Sequence, residues 1–401
     1  MTTEMKSPMT RDATRLPALL PALLPALLLL SRVLAVPAPA AAQDFESRDY
    51  ALTVERLPGE LDHPWGMTFL PDGALLVTER PGRLRILEGA AGGAEGVRLS
   101  EPITGLPRVY ASGQGGLLDV ALDPAFSENR LIYLSYAEAG DGGAGTAVAR
   151  ARLDREALAL EDLQVIFRMQ PKTSGGRHFG SRLVFGADGA LFVTLGDRGE
   201  RERAQDPGVN RGQVVRINPD GSIPADNPFV GRAGYRPEIW SFGHRNPQGA
   251  ALHPATRELW TIEHGARGGD EVNRPLPGRN YGWPVISYGR HYSGGKIGVG
   301  TEKEGMEQPV YYWDPSIAPG DATFYDGDLF PAWQGDLLVT ALKYRLLVRL
   351  EMEDGEVTGE ERLLEGLGQR LRDVEVGPDG AVYLLTDEDD GAVVRVLPTG
   401  R

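Results

Sequence analysis

The side chains able to do chemistry are concentrated in five short stretches. They are Gly175-Gly-Arg-His-Phe-Gly-Ser-Arg182, Gly196-Asp-Arg-Gly199, Gly243-His-Arg-Asn-Pro-Gln-Gly249, Glu263-His-Gly-Ala-Arg-Gly-Gly-Asp-Glu-Val-Asn273 and Arg370-Leu-Arg-Asp373. Each is dense in Arg, His, Asn, Asp and Gly, residues that do little for packing. An arginine fork matches a planar carboxylate through paired hydrogen bonds. Several arginines gathered on one face of an acidic chain therefore imply an anionic ligand. That inference needs a scaffold that brings five distant stretches together.

The scaffold is legible as a repeat. Phe69-Leu-Pro-Asp-Gly-Ala-Leu-Leu-Val-Thr-Glu79 recurs as Phe185-Gly-Ala-Asp-Gly-Ala-Leu-Phe-Val-Thr-Leu195 and as Val376-Gly-Pro-Asp-Gly-Ala-Val-Tyr-Leu-Leu-Thr386. Each copy is a strand, a turn built on Asp-Gly and a second apolar strand, the Gly supplying positive φ without steric cost. Weaker copies begin at Val120, Ala250 and Phe324, which makes six units of about sixty residues. With 52 Gly and 30 Pro, few windows could hold a long amphipathic helix. Many short strands at regular spacing predict an all-β, six-bladed β-propeller, with a sandwich or barrel as the alternative. Residues 50–55 are expected to close the ring beside residues 392–397. The Gly/Ala-rich residues 89–96 and residues 138–146 read as exposed connections.

The first forty-two residues stand apart. Lys6, Arg11 and Arg15 precede a Leu-rich stretch interrupted by Pro17, Pro21 and Pro25, then an Ala-rich end before Gln43. That order matches a secretory signal, and three prolines argue against a spanning helix. The expected organisation is a signal at 1–42 and one propeller domain at 43–401, periplasmic or secreted, with no membrane insertion after processing. The chain has no cysteine, so a domain of this size must rest on its core. Its formal charge of −14 becomes −16 without the leader, whose own net charge is +2. Such a surface repels nucleic acid, and no basic stripe offsets it.

The ordered set of motifs carries a more specific reading. The heptad from Gly243 to Gly249, then Glu263-His-Gly, Gly269-Asp-Glu-Val-Asn273 and Gly278-Arg-Asn-Tyr-Gly-Trp-Pro284 resembles the soluble quinoprotein glucose/sorbosone dehydrogenases, and within them the aldose sugar dehydrogenases. The resemblance runs from about Pro64 to the C-terminus. It implies pyrroloquinoline quinone (PQQ) across the axial face, contacted by Gln114, Arg245, Asn246, Lys343, Arg370 and Arg372. Arg370 and Arg372 are spaced to share one strand face, and the competing reading pairs them with Asp373 and Glu375. The resemblance also implies Ca²⁺ held by the backbone carbonyls of Gly265 and Ala266 with Asp270 nearby. Many relatives carry Pro at the position of Ala266; the carbonyl survives the change, while the loop loses a rigid φ.

By the same resemblance, His178 is the general base that takes a sugar hydroxyl proton while hydride leaves C1, and Arg245 stabilises developing negative charge. The implied partners are a small sugar and an external electron acceptor. The rival readings are a calcium-dependent propeller lactonase or hydrolase, which needs no ring of cations, and a propeller that binds without catalysis.

Overall fold

In five of the repeats the second strand is buried at every position: Leu75–Glu79, Leu191–Leu195, Leu259–Glu263, Leu337–Ala341 and Val382–Thr386. Successive side chains of a strand point to opposite faces, so burial of both faces requires a sheet on either side. Leu75 and Val77 share one apolar cluster with Tyr383 and Leu385, while Leu76 lies in another with Val120 and Leu134. Sandwiching of this kind, repeated around an axis, is a propeller.

The structure, a computed structural model, describes residues 42–399. The expected signal at 1–42 lies outside the described residues except for Ala42. Six antiparallel sheets follow in order. Their innermost strands are Pro64–Phe69, Leu117–Leu122, Leu183–Phe185, Pro247–Leu252, Pro319–Phe324 and Leu371–Val376, and they number the blades one to six. The six-bladed expectation holds. Ring closure is also as expected: Ala51–Arg56 pairs antiparallel with Val393–Pro398. Gln43–Glu46 adds a fifth strand outside it. Among the described residues the only α-helix is the single turn Phe126–Asn129, and no helix is long and apolar enough to cross a membrane.

Two expected surface connections need correction. Residues 138–146 are the tip of the hairpin formed by Leu131–Gly140 and Gly143–Asp154, with Ala144 and Thr146 buried. Thr173 returns across this tip and pairs with Ala144, covering it. Within residues 89–96, Ala90 is buried against Leu57, Leu61 and Tyr383. Small side chains marked both segments as loops, yet small size equally permits close packing.

The hydroxyl near the end of the second strand has a definite task in four of the blades. In blade three the Thr194 hydroxyl accepts from Arg182 N (2.9 Å) and donates to Pro247 O of blade four (2.8 Å). Thr78 does the same between Gly66 and Leu118 O, Ser135 between Asp119 and Ser181 O, and Thr340 between Asp321 and Arg372 O. One hydroxyl thus satisfies an inner-strand N–H of its own blade, opened by a bulge in blades one, two and five, and a carbonyl of the next blade. Close approach here needs glycine. A Cβ on Gly66 would meet Asp119 Oδ1 at 2.6 Å, and one on Gly320 would meet Arg372 O at 2.3 Å.

At the axis, Arg182 Nη1 lies 2.8 Å from Asp119 Oδ1 and 3.0 Å from Asp373 Oδ1, and its Nε lies 3.1 Å from Asp321 Oδ1. Asp119, Asp321 and Glu375 line a cavity of about 460 Å³ between the inner strands. Burial holds the Asp119 carboxyl up at about 6 and, with the neighbouring Asp373 charge, the Glu375 carboxyl at about 8. Glu375 is only half-buried by surface area, but it lines this cavity beside Asp119 and Asp321, so desolvation dominates.

Two outcomes follow for stability. A Thr194→Val chain leaves the Arg182 N–H and the Pro247 carbonyl unpaired and should lose about 1–3 kcal/mol in denaturant unfolding. Because the folded Glu375 carboxyl binds its proton more tightly than an unfolded one, its contribution to stability is complete below about pH 4.5 and is lost as pH rises through about 8. Glu375→Gln should therefore raise the melting temperature above pH 8 and do little at pH 4, as read from melting curves across that range.

Candidate active site

The loops that precede the innermost strands converge on a second cavity of about 860 Å³. Gln114, His178, Arg245, Asn246, Gly265, Ala266 and Lys343 all line it, so most of the residues singled out in sequence meet in one place. Arg370, Arg372 and Asp270 are not among the residues that line it. Arg267, Arg290 and Tyr292, to which sequence reasoning attached no role, are also part of the lining.

His178 sits between blades two and three at a φ of 56°, where its loop turns back on itself. Gln114 Oε1 accepts from His178 N (2.7 Å), and Asn246 Oδ1 accepts from Gly180 N (3.1 Å), so two neighbouring blades clamp the loop. The amide nitrogens of Gln114 and Asn246 donate to nothing among the described residues. They remain as donors for a ligand in the cavity.

The imidazole is oriented by Asp197, whose Oδ1 lies 2.6 Å from His178 Nδ1. That oxygen also accepts from Gly199 N (2.7 Å), and Oδ2 accepts from Trp283 Nε1 (2.8 Å). Although burial opposes it, the His178 hydrogen bond holds the Asp197 carboxyl below its ordinary range. An ionised carboxylate requires the proton on Nδ1, which leaves the Nε2 lone pair as the acceptor. Burial, assisted by the Arg245 charge and opposed by Asp197, lowers the His178 pKa from its ordinary value. The ring is a neutral base at neutral pH. Asp197 was within a motif read from sequence, but an Asp beside two glycines carries the signature of a turn and nothing more.

Arg245 is fixed by Glu263. Glu263 Oε2 accepts from Arg245 N (2.6 Å), while Oε1 accepts from Asn273 Nδ2 (2.9 Å) and lies 3.0 Å from His244 Nδ1. Arg245 Nη1 donates to His264 O (3.1 Å), and its buried Nε has no partner. Lys343 Nζ donates to Ser316 O (2.9 Å). Arg372 bonds Asp387 through Nη2 and Gln248 Oε1 through Nη1 (3.0 Å), with its buried Nε also unpartnered. Two guanidinium N–H groups are thus buried without an acceptor among the described residues, while the Arg245 and Lys343 side chains line the cavity and put positive charge beside an anionic ligand.

The expected pairing of Arg370 and Arg372 is altered in detail. The strand begins at Leu371 with a register break before Asp373, so Arg370 lies outside it and the two do not share a regular strand face. They meet instead at Asp387, which lies 3.6 Å from Arg370 Nη2. Asp373 pairs with Arg182, not with either of them. A partner fifteen residues downstream of Arg372, across a hairpin, is invisible to local spacing.

The loop from Gly265 to Asp270 supplies oxygen. An added Cβ on Gly265 would meet the Gly268 and Gly269 carbonyl oxygens, each at 2.2 Å, so two carbonyls crowd this glycine. The Asp270 carboxylate accepts from Gly265 N (2.7 Å), Ile317 N (2.8 Å), Ala318 N (2.9 Å) and the Ser316 hydroxyl (2.7 Å). With both oxygens engaged by donors, Asp270 shapes the carbonyl loop from behind. Backbone oxygens in a rigid loop suit a hard cation such as Ca²⁺.

The chain is similar to known proteins in sequence and fold. The sequence pattern of the glucose/sorbosone dehydrogenase family matches residues 61–395. Aldose sugar dehydrogenase YliI of Escherichia coli is 48% identical over 351 residues, covering 86% of this chain and 93% of that protein. The apo crystal structure of the soluble aldose sugar dehydrogenase from Escherichia coli superposes with a TM-score of 0.83 at 47% identity, over 87% of this chain and all of the other. The PQQ-bound aldose sugar dehydrogenase of Streptomyces coelicolor gives 0.69 at 27% identity, over 86% and 98% of the two chains.

The dyad makes a direct statement about charge. In Asp197→Asn the carboxylate that favours imidazolium is gone while burial and Arg245 remain, so the His178 ring should titrate at lower pH than in the parent. NMR of ring-labelled histidine across pH 4–8 reads this directly; an unchanged or raised titration would contradict the dyad.

Proposed function

The chain belongs to the glucose/sorbosone dehydrogenase family and is an aldose-dehydrogenase oxidoreductase, and from that premise we propose that it oxidises aldose sugars to lactones with PQQ and Ca²⁺, His178 serving as the general base. The carrying observation is that one cavity combines a neutral imidazole, oriented by Asp197, with the cationic side chains of Arg245 and Lys343. A PQQ-bound relative of the same fold supports the choice of cofactor.

On this reading Gln114, Arg245, Asn246, Lys343, Arg370 and Arg372 hold the quinone, and the carbonyls of Gly265 and Ala266 hold calcium, with Asp270 fixing their loop. When bound, the quinone supplies a two-electron acceptor and calcium the charge that polarises its oxygens. The chain's own part is to place and deprotonate the sugar. His178 Nε2 takes the proton of the C1 hydroxyl, the C1–H bond gives up hydride to the acceptor, and the C1–O bond becomes the lactone carbonyl. The proton is held between Nε2 and solvent while Asp197 balances the imidazolium charge. Arg245, fixed by Glu263, would offset negative charge developing on the acceptor.

The domain reading accompanies this. Gln43 is both the expected first residue after the leader and the first residue of the outermost strand of blade six, so removal of 1–42 would leave every described strand whole. We read the mature protein as periplasmic or secreted.

Dye-linked aldose oxidation should appear only when both quinone and Ca²⁺ are added, and full activity in the presence of a strong chelator would remove calcium from the scheme. At saturating quinone, His178→Ala should fall by about 10²–10⁴ in turnover with cofactor binding retained. Parental turnover in that variant would remove His178 from the mechanism. Absence of quinone binding by spectral titration would return the hydrolase reading.

A further inference from the structure

Trp283 touches three parts of the site at once. Its Nε1 donates to Asp197 Oδ2 at 2.8 Å, the oxygen not facing His178. The Arg245 guanidinium carbon lies 5.3 Å from the centre of its ring. The ring also shares a small apolar cluster with Ala266 of the carbonyl loop, together with Ala204 and Ile297. The side chain is buried, and its backbone is pinned at both ends: Trp283 N donates to Gly243 O (2.8 Å), and Gln205 Nε2 donates to Trp283 O (2.8 Å). Packing alone would be served by any large apolar ring. An indole N–H aimed at the one carboxylate behind the base is a more specific placement.

We propose that Trp283 is a positioning residue that holds Asp197 in register with the His178 ring and, by donating to the rear carboxylate oxygen, limits how strongly that carboxylate favours the charged imidazole. The proposal rests on the reading of His178 as the base. A carboxylate that accepts a hydrogen bond presents less negative charge to its other partners. Without this donor, Asp197 would bind the imidazolium more tightly, and His178 would keep its proton to higher pH. The charged and titratable groups facing His178 are Asp197, Arg245, Arg177 and His264; those facing Asp197 are His178, Arg245, Arg198 and Arg211. None of them is replaced by changing Trp283, so the effect of the N–H can be read separately.

Trp283→Phe keeps a ring beside Arg245 and Ala266 and deletes the donor. Should that variant fail to fold, site-specific replacement by benzothienylalanine keeps the bicycle and deletes only the N–H. In the cofactor-free protein, NMR titration of the His178 ring should move to higher pH, reporting a proton affinity raised about two- to tenfold, the worth of one hydrogen bond. In the cofactor-loaded enzyme the acid limb of kcat/KM for glucose should move in the same direction, with the alkaline plateau within about threefold of the parent. A merely structural role would lower the rate equally at every pH and leave the ring titration in place. An unmoved titration in a folded variant overturns the proposal. A moved titration with an unmoved acid limb upholds the role of Trp283 and instead removes His178 as the base.

Discussion

One guanidinium meets all six blades. Arg182 belongs to blade three, lies within 3.1 Å of carboxylates from blades two, five and six, and donates through Nε to Gln248 O of blade four (3.1 Å). Its guanidinium carbon also lies 4.7 Å above the centre of the Trp65 ring of blade one. A ring of sheets held only by apolar faces could breathe about its axis, because such contacts have no direction. A charge with fixed hydrogen-bond vectors removes that freedom. It carries the usual hazard of buried ion pairs, since the acids around it outnumber it and any one left unpaired is costly. The surrounding carboxylates answer this by accepting backbone N–H groups as well: Asp119 from Leu183, Asp373 from Met67 and Asp321 from Ala250.

The chemistry inherits its precision from this centre. Ser181 and Arg182 lie a few residues beyond His178, and the Ser181 carbonyl and Arg182 N–H are held by Ser135 and Thr194. On the far side, Gly196 allows the His178 carbonyl to lie 2.0 Å from where a Cβ would stand. His178 thus sits on a segment fixed at both ends to two blades. Asp197 N donates to Arg245 O at 2.8 Å, so the dyad and the arginine are joined through backbone as well as through the indole of Trp283. Positions of this kind satisfy the demand that a reacting constellation be rigid before the substrate arrives.

Local chemistry was legible in the sequence, and distant pairing was not. The Asp-Gly hairpins and the two-faced apolar strands repeat within a dozen residues, and they led to six blades and to the closing strand at Ala51–Arg56. The motif loops led to Gln114, His178, Arg245, Asn246, Gly265, Ala266 and Lys343, which do meet in one cavity. What escaped were partners contributed from elsewhere in the chain. Asp387 reaches Arg372 across a hairpin, and Trp283 reaches Asp197 over eighty-six positions. Arg182 looked like one more motif arginine, because nothing in a linear pattern distinguishes an axial cation from one that faces a ligand. The hairpin tip at 138–146 failed for the opposite reason: alanine and glycine serve equally well in an exposed turn and beneath a covering segment.

Blade six takes its outer strands from the beginning of the domain and its inner three from the end, and this bears on the order in which the molecule can be made. A chain that emerges N-terminus first presents Gln43–Glu46 and Ala51–Arg56 long before Val393–Pro398 exists to receive them. The first five blades can assemble as an open arc, but the contact that seals the circle spans nearly the whole sequence and forms last. Until then the arc has two raw ends, the faces of blades one and five that blade six will cover. The closed propeller is therefore available only to a finished chain, and a chain cut short at the C-terminus lacks the partner for its own first strands.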